Sequence, residues 1–172
     1  MNKTDRPFAR PFSVLRLPPG GETRSLAATS DECAAVAALL HLPSVSKLSA
    51  ELVIEPAAGG TISVTGEIMA GLEQVCVVSL DAFAVEVKQP VDMQFSGRPE
   101  AGGQGSRDQP DPVVDGVIDL GAIAVEALAL SLDPYPRKPG AVFAHTVEEN
   151  RKSSPFAALS VLKSVAKIGS KP

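Results

Sequence analysis

Tryptophan is absent from the 172-residue chain, and Tyr135 is the only tyrosine. That leaves few aromatic platforms on which single-stranded bases could stack. Only Cys33 and Cys76 supply thiols, too few for a disulfide framework or a four-thiolate zinc site, and a reducing cytoplasm is the expected location. No apolar run approaches the roughly 20 residues of a membrane-spanning helix, so no membrane contact is expected. The opening MNKTDRPFARPFSVLRL lacks an apolar segment followed by a small-residue cleavage site, which predicts no secretion. Basic charge is scarce everywhere but at the end. All 20 acidic residues and 11 of the 16 basic ones precede residue 151, giving a body of −9, and Arg151, Lys152, Lys163, Lys167 and Lys171 make a tail of +5. An acidic body repels phosphate, so bulk-charge contact with nucleic acid is expected in the tail first.

What is present reads as an α+β domain over 1–146, followed by a linker and basic helix over 147–172. Phe12 to Leu17 predicts a first strand ended by Pro18-Pro19-Gly20-Gly21, and a short strand follows near Ser25 to Ala28. Thr29 and Glu32 fit a capping box for a helix to about His41, with Val36, Leu39 and Leu40 as its apolar stripe and Pro43 as its stop. Leu48, Ala50, Leu52 and Ile54 share one face of a strand, and a turn at Pro56 to Gly60 leads into a second that alternates through Ile62, Val64, Gly66, Ile68 and Ala70 toward Cys76, with a bend near Gly71. Two further strands are expected on either side of Pro90, one with Phe83, Val85 and Val87, the other with Val91, Met93 and Phe95. Consecutive strands without intervening helices predict a mainly antiparallel sheet packed by two helices. The Gly-, Pro- and charge-rich stretch 97–112 predicts a mobile loop. Asp119 can cap a second helix with Leu120, Ile123, Ala124, Ala127 and Leu128 on its buried stripe, stopped by Pro134; Ser154 and Pro155 can open a tail helix with Phe156, Leu159 and Leu162 on one face.

Motifs with chemical meaning are few. Gly103-Gln104-Gly105 carries the string that release factors use, but two arginines among three acids make a poor surface for RNA, and a flexible loop is expected. Pro136-Arg137-Lys138-Pro139 has PxxP spacing, although helix termination accounts for those prolines. No GxSxG elbow positions a nucleophile, and His41 and His145, far apart in sequence, make no metal site. Glu126 is an acid within an apolar helix and is the most interesting carboxylate, against the ordinary reading of a solvated helix face.

Three segments in order resemble the YceD family of large ribosomal RNA accumulation proteins: GEIMAGLEQVCVVSLDAF (66–83), DGVIDLGAIAVEALALSLDPYP (115–136) and SPFAALSVLKS (154–164). The FSVLRLPPGG opening, the DPYPR ending and the missing second cysteine are most similar to an alphaproteobacterial branch. The resemblance implies a non-enzymatic factor supporting accumulation or processing of large-subunit ribosomal RNA. Its implied partners are the RNA precursor or the assembling particle, with a ribosomal or assembly protein as a further partner. Many relatives carry a C-x-x-C pair, whereas Ser79 stands three residues after Cys76 here, so neither metal nor cofactor is expected and Cys76 is read as a structural strand residue. Residues expected to matter through docking or fold are Asp119, Glu126, Pro134, Tyr135, Pro136, Arg137, Pro155, Phe156, Leu159, Leu162, Lys163 and Lys167, with Ile118, Leu120 and Leu130 beside them. The competing classes are a protein-only adaptor and a small hydrolase or thiol enzyme; the second needs a base that the sequence does not identify.

Overall fold

A computed structural model describes residues 6–96 and 110–143. The chain divides after Ala141, and only Val142 and Phe143 of the second part fall among the described residues. The expected tail helix, with Pro155, Phe156, Leu159, Leu162, Lys163 and Lys167, therefore lies outside them.

The architecture is α+β. Strands β2 (Glu22–Ala27), β3 (Ser44–Pro56), β4 (Thr61–Val75), β5 (Ala82–Ser96) and β6 (Asp111–Pro112) form one sheet in that spatial order. Every pairing in it is antiparallel except the short β5–β6 contact. A two-stranded sheet joins β1 (Pro11–Ser13) to β7 (Val117–Asp119). Helices α1 (Ser30–Leu39) and α2 (Leu120–Ser131) follow β2 and β7.

Period-two alternation puts Leu48, Ala50, Leu52 and Ile54 of β3 and Ile62, Val64, Ile68, Ala70 and Leu72 of β4 into one core, each 9% exposed or less. The helices cover that face. On α1 the buried residues are Cys33, Val36 and Ala37, while Leu39 is 48% exposed. The apolar stripe is thus turned from the expected one, because α1 packs on β3 through the side that Cys33 shares with Val36 and Ala37.

Both ends of α1 are closed. Thr29 accepts the Glu32 N–H and Glu32 accepts the Thr29 N–H. At the other end His41 takes a left-handed φ of 55°, and the N–H groups of His41 and Leu42 donate to Ala38 and Ala37 in a Schellman arrangement before Pro43. Glu32 is also gripped by Arg10, at 2.7 and 2.9 Å, and that pairing with the Thr29 bond holds its carboxyl down at about 2. Arg10 in turn lies over the Phe8 ring. A depressed carboxylate stabilises the fold above its unfolded value and loses that contribution as pH falls toward about 2. Glu32→Gln therefore costs about 1.5 kcal/mol at pH 7, modest because the pair is a quarter to a third exposed. In urea melts taken across the acid range, the gap between variant and parent closes as pH approaches about 2.

Three expectations are corrected. The strand expected over Phe12 to Leu17 stops at Ser13 and continues as a 3-10 turn over Val14–Arg16, because β7 offers β1 only three partners. The two strands expected around Pro90 are one, β5, in unbroken register with β4 through Glu67↔Pro90. The Ser96 carbonyl accepts from Val113 N on the side away from β4; by the two-residue period, the backbone of Pro90 faces that side too, so its missing N–H removes no β4 bond. Finally, Asp111 and Pro112, at the end of the stretch expected to be mobile, form β6; residues 97–109 are outside the described range.

Candidate functional site

Asp119 is a structural hub. Its Oδ1 accepts from the N–H groups of Gly121, Ala122 and Arg10 at 3.1, 3.2 and 2.8 Å, and its Oδ2 pairs with Arg6 at 3.0 Å. It therefore caps α2 and ties the N-terminal segment to it. The adjoining Gly121 permits that closeness, since a Cβ there would lie 2.3 Å from the Phe8 carbonyl oxygen.

Beyond this hub runs a groove bounded by α2 and β5. Its widest part, about 660 Å³, lies among Met93, Phe95, Asp111, Ile118, Asp119 and Glu126. A cavity of about 190 Å³ shares Met93 and Glu126 with it and adds Pro90, Asp92 and the 80%-exposed Leu130. A third, about 260 Å³, shares Gln89 and continues along Val85 to Lys88 to reach Ser131, Leu132 and Asp133. Glu126 stands exposed where the first two meet. Pro134, Tyr135, Pro136 and Arg137 follow the far end; Tyr135 is 72% exposed, and the Pro136 carbonyl accepts the Val77 N–H.

A separate cleft of about 380 Å³ gathers Arg10, Arg16 and Arg24. The sequence did not signal it, because Arg10 precedes β1, Arg16 ends the 3-10 turn and Arg24 lies in β2, and only the fold brings them together. Arg10 is held by Glu32 and Arg24 by Glu22, so most of its charge is already neutralised.

Cys76 does not sit within a strand. It follows β4 and opens a tight turn in which its Sγ accepts from the Val78 and Ser79 N–H groups, both at 3.4 Å. The side chain of Ser79, then its backbone N–H and that of Lys138, favour the thiolate and pull Cys76 down to about 6, although the residue is buried. Ser79 thus acts as a donor to the Cys76 sulfur. Ser79→Ala raises the thiolate midpoint by about one pH unit, the loss of one hydrogen bond to a charged group; absorbance of the thiolate followed against pH reads it.

Among the described residues no three His, Cys, Asp or Glu side chains gather as a metal-binding group, and no helix is long and apolar enough to cross a membrane. Compared with protein-family models, curated proteins and solved structures, the chain matches none.

Proposed function

We propose that the chain is a non-enzymatic binding factor in ribosome production, acting in the cytoplasm to support accumulation or processing of large-subunit ribosomal RNA. The observation that carries this reading is that two of the three segments similar to the YceD family, 66–83 and 115–136, are fastened to one another. Gln74, 7% exposed, donates from Nε2 to the Asp133 carbonyl at 3.3 Å, and Val77 N donates to the Pro136 carbonyl at 2.9 Å; just past the second segment, Lys138 reaches Asp81 at 3.4 Å. The residues that carry the resemblance adjoin one another where the turn at Cys76 meets the segment after α2, beside the groove.

The groove's apolar floor and carboxylate rim suit binding rather than bond-making, and the paired arginines of the body leave direct phosphate contact to other parts of the chain. Sedimentation of the tagged protein through a sucrose gradient tests the reading. Co-migration with large-subunit precursors, and reduced mature large-subunit RNA when the chain is depleted, are the expected results. A protein that stays at the top of the gradient at low salt, with RNA levels unchanged on depletion, would overturn it.

A further inference from the structure

Among the described residues, strand β5 is paired on both sides only at its end. Ser96 and Phe95 face β6, whereas from Ala82 to Gln94 the described residues offer no strand on the side away from β4. The Ser96 carbonyl marks the phase of that edge, since it accepts from Val113 N. Even-numbered residues therefore direct their backbone groups outward, and among the described residues no acceptor meets the N–H groups of Ala84, Glu86, Lys88, Asp92 and Gln94; Pro90 supplies only its carbonyl. The chain's own β6 already occupies the first two positions of this seat.

The surroundings define the occupant. The cavities beside the edge are lined by consecutive β5 residues from both faces, 85–89 and 89–93, together with α2. An extended segment lying there would turn alternate side chains toward Val87, Met93, Ala127 and Leu130, and the remainder toward the solvent face of Glu86 and Asp92. Glu126 and Asp133 sit at the groove margin, and the one cation of the edge, Lys88, is held by Glu67 at 3.0 Å. Such a rim disfavours RNA phosphate. It also disfavours a second copy of β5, whose acids would face these.

We propose that the outer edge of β5 binds an extended segment of a protein partner in which apolar residues alternate with lysine or arginine, added to the sheet as a strand continuing the line of β6. Backbone pairing supplies affinity, and the alternate pockets and acids supply the choice of sequence. The proposal rests on the binding role above by naming the chemistry of one partner. Its test uses no ribosomal particle, so loss of co-sedimentation with peptide binding intact removes the biological role and leaves the strand seat, and the reverse outcome does the opposite.

The probe is a fluorescein-labelled decapeptide alternating valine with lysine or arginine, titrated into the full chain. Micromolar binding is expected, at least tenfold weaker when glutamate replaces the basic residues, and several-fold weaker to the Glu86→Gln, Asp92→Asn double variant. N-methylation of one alternate set of peptide amides should abolish binding while the other set has little effect. Amide exchange of the chain should slow at Ala84, Glu86, Lys88, Asp92 and Gln94 when peptide is added. Equal binding of both methylated peptides, or of the acidic peptide, overturns the proposal. So does slow exchange at these amides before peptide is added, which would identify another part of this chain as the occupant, or would identify a second copy if it grew with protein concentration.

Discussion

Gly66→Ala is expected to destabilise the protein by more than about 3 kcal/mol, a large part of an ordinary domain's stability. Gly66 lies mid-strand in β4, opposite Leu52 of β3 and Val91 of β5, with a φ of 150°. A Cβ built there would stand 2.0 Å from the Glu51 carbonyl oxygen and 3.0 Å from the Leu52 Cα. Both obstacles are backbone of the adjoining strand, so no side-chain rotation relieves them, and the conformation itself disfavours an L residue. Relief requires β3 and β4 to separate at their centre, where Leu52, Val64 and Ile68 are fully buried. Gly20→Ala is the control: nothing lies within 4 Å of its Cβ position, and a change within 1 kcal/mol is expected. Urea unfolding of the three proteins reads both values; a Gly66→Ala protein as stable as the parent would show that the strands move apart at little cost.

Asp119→Ala is expected to cost about 3 kcal/mol. The helix cap contributes about 1 kcal/mol, and a partly buried Arg10 N–H left without its acceptor adds about 1–3. The exposed Arg6 contact adds little. Asp119→Asn separates these parts, since its carbonyl oxygen can still accept from Gly121, Ala122 and Arg10, and it should retain most of the stability. Thermal melts of the pair make the comparison. Equal losses in both variants would mean that charge, rather than the acceptor geometry, dominates at this position.

What could be read from the chain was local. Thr29 and Glu32 are three residues apart and satisfy one another, so the capping box was visible in four letters. Alternation over β3 and β4 was equally visible because one face is fully buried. Pro90 misled, since whether its missing N–H breaks a strand depends on which side of the sheet that group faces, and that is decided by the pairing at Glu67 and Ser96. The cap role of Asp119 was legible from the stripe that follows it. Its hold on Arg6 and Arg10 was not, for those partners are 113 and 109 residues away. The groove was also hidden, because Glu126 gains meaning only beside Met93 and Asp92, which belong to a distant strand. Ser79 was read as a missing thiol, and its donor role depends on a backbone turn that the letters C-V-V-S do not announce.

The clasp between β1 and β7 has a kinetic consequence. Pro56↔Ile62 closes the β3–β4 hairpin over a few residues, whereas Pro11↔Asp119 joins opposite ends of the described fold. Loop-closure entropy grows with the logarithm of length, which makes the clasp about 2.5 kcal/mol harder to close first. The meander from β2 to β5 should therefore form early, and α2 should lock down only when Arg10 and Phe8 arrive over its first turn. Substitutions at Phe8 or Arg10 should then speed unfolding while leaving the refolding rate nearly unchanged, and Leu52 or Val64 replacements should slow refolding. An N-terminus that arrives last leaves α2 and the groove beside it as the least protected part of the molecule while the sheet is already formed.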